Sequence, residues 1–290
     1  MITGRISARD FLGLGRFHIV AIAALAAVVF GWEFDGHFGF AAGGLVAFDW
    51  FLVNLFNRIA DVPEDKANGV SGTGFVEANA GALVRIAFVA LAVSLIGARP
   101  LGTELLVLRI AFHLGGFAYS FPTVGRRIKE VFVLKNVFSG LLFLLSVIGY
   151  PLALRQTTPP LAELIALCAF FLPVAITYQL IYDLRDLAGD AASGIVTIPV
   201  RWGEKRTRAL AELLLALSAA ALLFGYLLGA LHWRELVLIA APLQQALVLR
   251  LWIPGPVGKR DALRITWLGA AQLASYLVWI ALGLPVERPW

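Results

Sequence analysis

The sequence predicts an all-α integral membrane protein that crosses the bilayer several times. Hydrophobic residues make up 60% of the 290 residues and charged residues only 15%, and the mean hydropathy is +0.82. This balance far exceeds what the core of a soluble domain requires. Apolar runs of roughly 18 to 25 residues, long enough to cross a hydrocarbon layer of about 30 Å as helix, recur along the chain. The segments between them are short, so residues 1–290 are expected to form one membrane domain.

Nine of these runs are predicted to be transmembrane helices. In chain order they cover about residues 15–33, 38–58, 80–98, 103–121, 131–152, 160–182, 207–231, 236–253 and 263–283. The fourth and eighth assignments are the weakest because polar side chains are costly in lipid. The polar residues concerned are Arg109 and His113 in the fourth run, and Gln244, Gln245 and Arg250 in the eighth. The N-terminal arm lacks a small-residue cleavage site, so the first run is expected to be a retained span rather than a signal peptide.

The distribution of basic residues predicts the orientation. Of the Lys and Arg residues, 18 fall in the N-terminal arm and the loops after spans two, four, six and eight, and five fall on the other side. By the positive-inside rule the first group faces the cytoplasm, so the N-terminus is cytoplasmic and the C-terminus lies on the opposite side. We expect an integral membrane protein of a prokaryotic plasma membrane, with motif loops at about 57–79, 119–136 and 183–206 on the cytoplasmic side.

Several classes of function are disfavoured. The net charge of +5 and the pI near 9.6 reflect basic loops beside membrane spans rather than a nucleic-acid interface. The only cysteine, Cys168, lies inside a predicted span, so an intramolecular disulfide is excluded. The four histidines are scattered without ligand spacing. No protein partner can be inferred.

Two acidic ladders stand where long apolar runs end. The first is Asn57, Asp61 and Asp65, and the second is Asp183, Asp186 and Asp190. On a helix, positions separated by three, four or seven residues share one face, so each ladder presents its oxygen atoms along a line. The even number of predicted crossings between them places both ladders at the same membrane face, where they can share one site. Acidic groups near a bilayer require a compensating cation.

Oxygen ligands without His or Cys suit Mg²⁺, which commonly combines one or two carboxylates with substrate phosphates. A diphosphate bound through Mg²⁺ becomes a good leaving group, because the charge that develops as its C–O bond breaks is neutralised. An allylic prenyl diphosphate fits such a site, since its head requires metal and its tail requires an apolar tunnel. The ladders therefore predict a Mg²⁺-dependent enzyme that acts on a prenyl diphosphate.

The ladders also resemble those of a known family. Asn57-Arg-Ile-Ala-Asp61-Val-Pro-Glu-Asp65 is similar to the first, NxxxDxxxD, motif of the UbiA superfamily of intramembrane prenyltransferases. The stretch from Tyr182 to Asp190, and the tail from Gly194 to Gly203, resemble its second, DxxDxxxD, motif and the loop that follows. The layout of nine spans matches as well, so the resemblance extends over essentially the whole chain. It implies a UbiA-like helical bundle and a prenyltransferase activity.

The resemblance further implies a basic loop between the motifs that binds diphosphate. The segment from Tyr119 to Asn136 matches this description, and its cations are Arg126, Arg127, Lys129 and Lys135. Lys129 and Lys135 are the preferred diphosphate ligands, and Arg126 and Arg127 compete for a third place. The alternative is that these are ordinary positive-inside residues.

The predicted mechanism assigns a role to each site residue. Mg²⁺ is held by Asp61, Asp65, Asp183 and Asp186, and its shell is completed by Asn57 and Asp190. The allylic cation left after diphosphate departure is captured by a lipophilic, electron-rich acceptor of the quinone-, pigment- or lipid-precursor type, which is most often aromatic in this family. Three tyrosines are candidates to line the acceptor pocket or stabilise the cation through their rings, with Tyr119 the first choice before Tyr178 and Tyr182. Near span ends, such residues are also common interface anchors.

Two local features modify this prediction. Pro63 disfavours helix at Val62, so the helix is expected to break after Asp61 and to leave Asp65 on a separate segment. The loop from Lys66 to Gly74 is glycine-rich and lacks the phosphate-facing arginine usual in the family, which suggests an atypical acceptor. Two other functions stay open: a terpene cyclase of the same fold, and a cation transporter that uses the ladders as a permeation site. The transporter is disfavoured because such sites usually lie near the midplane.

Overall fold

The computed structural model describes residues 14–67, 69–122, 125–155, 158–192 and 194–283, and the regular structure in these ranges is helical. The predicted N-terminal arm up to residue 13 and the C-terminal residues 284–290 lie outside them. The α-helices are α1 (Phe17–Asp35), α2 (Phe40–Ala60), α3 (Val62–Ala67), α4 (Thr73–Gly97), α5 (Thr103–Ser120), α6 (Leu134–Val147), α7 (Gly149–Leu154), α8 (Leu161–Ala192), α9 (Ile198–Leu227), α10 (Trp233–Leu236), α11 (Ala240–Leu247) and α12 (Lys259–Ala281). Short 3₁₀ turns cover Arg99–Leu101, Ile128–Glu130 and Val237–Ile239, and a π turn covers Val248–Trp252.

Helical structure coincides with all nine predicted spans, and the all-α polytopic fold is confirmed. Within the described ranges, seven helical segments are long and apolar enough to cross a membrane: Phe17–Asp35, Phe40–Ala60, Thr73–Gly97, Leu134–Leu154, Leu161–Ala192, Ile198–Leu227 and Trp233–Trp252. Helices α5 and α12 fall outside this set. The eighth predicted span is therefore long and apolar enough to cross a membrane despite its two glutamines. The ninth predicted span, in α12, is not in this set. The count of nine stays a prediction.

The bundle is built around α8 and α1. Helix α8 packs between α6 and α9, and α1 packs against α2 and α12. Helices α1 and α2 approach closely near the turn that joins them, because a Cβ on Gly31 would lie 2.7 Å from the Cα of Gly39. Cys168 lies in α8 as a free thiol, as expected from its position in an apolar run.

A buried ionic network explains how α5 accommodates Arg109 and His113. Arg109 is fully buried and donates to both oxygens of Asp49 in α2, with distances of 2.8 Å from Nε and 2.6 Å from Nη2. The hydroxyl of Tyr150 donates to Oδ2 of Asp49 at 2.9 Å, and Nε2 of His113 lies 3.1 Å from Oδ1. The charges that weaken the fourth span in the sequence therefore face the bundle interior, where they are paired rather than exposed to lipid.

The first ladder lies across a helix break. Helix α2 ends at Ala60, Asp61 has non-helical dihedral angles of φ −97° and ψ 10°, and α3 starts at Val62. The predicted break before Pro63 is confirmed, and its cause is the restriction that proline imposes on its own φ and on the preceding residue. Asp65 thus occupies a separate short helix, whereas the second ladder lies entirely within α8.

Candidate active site

The first ladder is buried, and each of its members has a partner within the chain. Asn57 accepts a hydrogen bond from the hydroxyl of Ser120 at 3.1 Å through its Oδ1. Asp61 pairs with Lys129, and Nη1 of Arg127 lies 3.4 Å from its Oδ1. Asp65 pairs with Arg58, which is only 1% exposed. The break at Asp61 therefore leaves all three ladder side chains in contact with the bundle rather than with solvent.

Arg58 links the first ladder to the loop that follows α3. Its second terminal nitrogen donates to the carbonyl oxygen of Ser71 at 2.7 Å, so one guanidinium joins α3 to the glycine-rich loop that follows. Burial raises the pKa of Asp65 above its usual value, and the nearby charges of Arg16 and Arg58 only partly offset that effect. A bound cation would favour the ionised carboxylate by the same electrostatic argument.

The second ladder is formed along the last turns of α8. Asp183 is 3% exposed. Its Oδ1 lies 2.7 Å from Nζ of Lys135, and its Oδ2 accepts a hydrogen bond of 2.8 Å from Nδ2 of Asn136. Asp186 pairs with its neighbour Arg185 at 2.5 Å. Oδ2 of Asp190 is buried and has no hydrogen-bond partner within the described part of the chain.

The basic loop touches both ladders, which places them at one site. Lys129 contacts Asp61 in the first ladder, and Lys135, six residues later, contacts Asp183 in the second. Arg127 lies close to Asp61, whereas Arg126 is exposed and has no ion pair among the residues that the structure describes. Of the two competing arginines, Arg127 is therefore the one that the structure brings to the first ladder.

Glu64 follows Pro63 in the sequence and does not belong to the first ladder, yet it contacts the basic loop. Its two oxygens lie 2.6 Å from Nη2 of Arg127 and 2.8 Å from Nζ of Lys129, so it anchors the basic loop. Burial alone would raise the pKa of Glu64, but Lys129 and Arg127 outweigh burial and hold the pKa below its usual value. The sequence signal for this role is weak, because the partners are more than 60 residues away.

The three tyrosines occupy different positions. Tyr119 lies near the end of α5, within electrostatic range of Asp61 in the first ladder and Asp183 in the second. Tyr182 stacks on His18 with ring centroids 6.1 Å apart and carries the guanidinium of Arg185 at 4.5 Å from its ring centroid. Its hydroxyl lies 2.8 Å from Oγ1 of Thr266. One face of Tyr182 therefore already binds a cation of the chain.

An apolar cavity lies within the bundle, with one end near the second ladder. Its volume is about 330 Å³, and it is lined mainly by α1, α8, α11 and α12. Tyr182 lies at the end near Asp183, and Phe170, twelve residues earlier in α8, lies about 18 Å away along the helix axis at 1.5 Å per residue. At the far end the hydroxyl of Tyr276 donates to Oε1 of the buried Glu33 at 2.5 Å.

The donor set fits a hard divalent cation in composition. All six predicted ligands offer oxygen, and within the described ranges the carboxylate of Asp190 has no ion pair and lies beside the hydroxyl of Thr197. Across the described ranges, however, no three acidic, His or Cys side chains already converge on one point, because the ladder carboxylates face Lys, Arg and Asn side chains instead. The metal assignment stays a prediction.

Comparisons with known proteins identify the family. The model of the UbiA prenyltransferase family matches residues 17–256. Among curated proteins, digeranylgeranylglyceryl phosphate synthase of Halobacterium salinarum is 36% identical over 101 residues, which cover 35% of this chain and 33% of the relative. The chain thus spans about a third of the length of the curated relatives that it matches.

Solved structures show the same fold. A UbiA homolog from Archaeoglobus fulgidus bound to GPP and Mg²⁺ has a TM-score of 0.73 at 19% identity, with 94% of this chain and 99% of that chain covered. The apo structure of a UbiA homolog from Aeropyrum pernix K1 has a TM-score of 0.66 at 18% identity, with 92% and 98% covered. The family match over residues 17–256, which include both ladders and the basic loop, shows that the chain belongs to the UbiA prenyltransferase family.

Proposed function

We propose that this protein transfers a prenyl group from an allylic prenyl diphosphate to a lipophilic acceptor in a Mg²⁺-dependent reaction. The observation that carries the proposal is the basic loop, which contacts both acidic ladders beside an apolar cavity of about 330 Å³. Charged groups for a diphosphate and a cavity for its hydrocarbon chain are thus adjacent. The A. fulgidus homolog, solved with GPP and Mg²⁺, supports this assignment by analogy of fold.

Six side chains would hold the metal: Asn57, Asp61, Asp65, Asp183, Asp186 and Asp190. Bound Mg²⁺ would neutralise the negative charge that grows on the diphosphate as it leaves. For the ladders to bind it, cations that now pair with carboxylates must find other partners. Lys129 and Lys135 would transfer from Asp61 and Asp183 to diphosphate oxygens, which keeps each ammonium group compensated during the exchange.

The reaction exchanges one bond at C1 of the prenyl chain. The C1–O bond to diphosphate breaks with its electron pair on oxygen, a nucleophilic atom of the acceptor bonds to C1, and the acceptor proton passes to an oxygen of diphosphate or of a ladder carboxylate. Tyr119, which is within electrostatic range of both ladders, would face the allylic cation. The sequence predicts an aromatic acceptor, whereas the name of the H. salinarum relative favours a prenylated glycerol phosphate.

We place the ladder end of the bundle at the cytoplasmic face of a prokaryotic plasma membrane. The support is the excess of basic residues at that end, 18 against five. A charged, water-soluble diphosphate head would then reach the site from the cytoplasm, and the lipophilic acceptor would enter from the bilayer.

The test is a product search with the purified chain in proteoliposomes. Labelled geranylgeranyl diphosphate and Mg²⁺ are supplied with a prenylated glycerol phosphate, with a phenolic acceptor, or with no acceptor, and products are identified by mass spectrometry. We expect a prenylated acceptor that depends on Mg²⁺ and is lost in Asp61→Ala and Asp183→Ala. A cyclic hydrocarbon formed rapidly without acceptor would instead establish the cyclase, and metal flux without diphosphate release would establish the transporter.

A further inference from the structure

The apolar cavity contains polar atoms that a prenyl chain cannot satisfy. Three of its lining side chains carry a buried oxygen without a hydrogen-bond partner in the described ranges: Oη of Tyr178, Oε1 of Gln245 and Oε1 of Gln272. Buried polar atoms are nearly always hydrogen-bonded, so each such orphan requires an explanation. A hydrocarbon tail offers neither donor nor acceptor and would leave all three unpaired.

Other polar side chains in the same lining are satisfied internally. Tyr182 and Thr266 bond to each other at 2.8 Å, Ser275 donates to the carbonyl of Ala271 at 2.8 Å, and Tyr276 bonds to Glu33 at 2.5 Å. The orphan oxygens are therefore not a general property of polar groups in this cavity. They are confined to one tyrosine and two glutamines, which come from α8, α11 and α12.

The local packing positions Tyr178 specifically. A Cβ on Gly269 would overlap its hydroxyl, so glycine at this position lets the hydroxyl lie against the backbone of α12. Gln272 follows Gly269 by three residues and thus lies on the same helix face, one turn further from the ladders. Gln245 is 4% exposed and reaches the cavity from α11.

The position along α8 relates these groups to the reaction. Tyr178 precedes Asp183 by five residues, which corresponds to about 7 Å along the helix axis. A ligand group held there would lie just inside the cavity from the second ladder, near the expected position of C1 when the diphosphate is bound at the ladders.

We propose that Tyr178, Gln245 and Gln272 form a polar seat that binds the hydroxyl group of the acceptor. This inference rests on the proposed function and specifies its acceptor as hydroxyl-bearing. A hydroxyl group donates its one hydrogen to a single glutamine Oε1 and accepts from the tyrosine O–H, so it satisfies both kinds of orphan atom, with one of the two glutamine oxygens bonded at a time. A quinone carbonyl only accepts and would leave the glutamine oxygens unpaired. An aliphatic alcohol and a phenol share the required chemistry.

The test compares acceptors with and without the hydroxyl hydrogen. The probes are a geranylgeranyl glycerol phosphate and a prenylated phenol, each beside its O-methyl ether, and binding to the detergent-solubilised full chain is measured without prenyl diphosphate. For one of the two probe pairs we expect methylation to weaken binding to wild type about tenfold, as for one good hydrogen bond. The pair that shows this effect identifies whether the acceptor is an aliphatic alcohol or a phenol. In Gln272→Met the same methylation should change binding less than about twofold, which is within measurement error of no effect. Tyr178→Phe should instead weaken binding of the alcohol and its ether alike, because the ether oxygen still accepts from the tyrosine O–H.

Gln244→Met is the matched control, because Gln244 neighbours Gln245 but does not line the cavity. It should retain the full effect of methylation, whereas Gln245→Met should reduce it. The polar seat is refuted if methylation does not weaken binding to wild type for either probe pair, or weakens it equally in all variants. Because binding is measured without turnover, such a result is distinct from a failure of the proposed activity, which would appear as no Mg²⁺-dependent diphosphate release by wild type. Melting temperatures of the variants verify that they are folded.

Discussion

At the residue scale, the candidate active site is defined by which cation faces which carboxylate. Lys129 and Lys135 lie six residues apart, yet they pair with acids that come from different helices, Asp61 and Asp183. Glu64 adds a further carboxylate that holds Lys129 in place without belonging to a ladder. The basic loop therefore has both a structural counter-ion, Glu64, and two contacts with the predicted metal ligands.

Removal of either lysine should affect the chemical step more than metal binding. In Lys129→Ala and Lys135→Ala we expect kcat to fall about ten- to a thousandfold, the range lost with one preorganised donor, because the leaving diphosphate loses a cation. The Mg²⁺ concentration for half activity should change little, whereas it should rise strongly in Asp65→Asn. Steady-state kinetics over a Mg²⁺ titration measures both quantities. Arg126→Ala is the control and should match wild type, since Arg126 is exposed. Unchanged kcat and KM in both lysine variants would show that these lysines do not bind diphosphate and only reflect the positive-inside rule.

Glu64 should contribute stability that depends on pH. Its folded-state pKa lies below the reference value of 4.5, so ionised Glu64 stabilises the fold at and above neutral pH. That contribution is lost as the pH falls below 4.5 through the depressed folded pKa. We expect Glu64→Gln to lower the melting temperature at pH 7. At pH values below the folded-state pKa of Glu64, the melting temperature of the variant should approach that of wild type. Glu77→Gln, which removes only an exposed pair with Lys66, should show a small difference throughout. A melting-temperature difference for Glu64→Gln that is independent of pH would contradict the assignment.

At the element scale, polar contacts between helices join the bundle away from the ladders. The Asp49 network links α2 to α5 through Arg109 and to α7 through Tyr150. Arg109 also donates to Oγ of Ser94 at 2.7 Å, which brings in α4. One buried ionic group thus contacts four helices, including α2, which carries Asn57 of the first ladder and leads to Asp61.

Truncation of Asp49 should destabilise the bundle strongly. Asp49→Ala leaves the buried Arg109 without its counter-ion, and breaking a buried pair in this way costs about 3–5 kcal/mol. Lys66→Ala, which breaks an exposed pair, should cost about 0–1 kcal/mol. The double variant Asp49→Leu with Arg109→Met should recover most of the loss, since no buried charge remains. Reversible unfolding in detergent micelles gives the three values. A loss in Asp49→Ala no larger than in Lys66→Ala would disprove the role of the network.

At the scale of the whole molecule, the bundle has a charged end and an apolar belt. The ladders, the basic loop and one end of the cavity lie together, and apolar side chains such as Val93 in α4 are exposed elsewhere, at 65% of the maximum for that residue. This division is what a lipophilic reaction with a charged leaving group requires, because the two parts of the substrate favour different environments.

The orientation can be measured with single cysteines. Because Cys168 is the only native cysteine, Cys168→Ala provides a thiol-free background. On it, Leu228→Cys should react with a membrane-impermeant maleimide in intact cells, and Lys205→Cys, near the ladder end, should react only after permeabilisation. Labelling of Lys205→Cys in intact cells would invert the proposed topology and place the ladders outside the cytoplasm.

The sequence by itself determined the features that depend on composition and on contacts within a few residues. The apolar runs identified a helical membrane bundle, the three- and four-residue spacings placed each ladder on one face, and Pro63 predicted the break at Asp61. Each of these three features follows from helix geometry or from the free energy of transfer to lipid. None of them requires knowledge of how distant segments pack.

Only the tertiary structure decided which distant groups meet. The pairing of Glu64 with Lys129 joins positions 65 residues apart, and that of Asp49 with Tyr150 joins positions 101 apart. Tyr178, Gln245 and Gln272, which we propose form a polar seat, line one cavity although they come from three helices that are distant in the sequence. Such contacts depend on the rotation and tilt of each helix. In a bundle these are set by side-chain packing between helices, about which a hydropathy pattern says little.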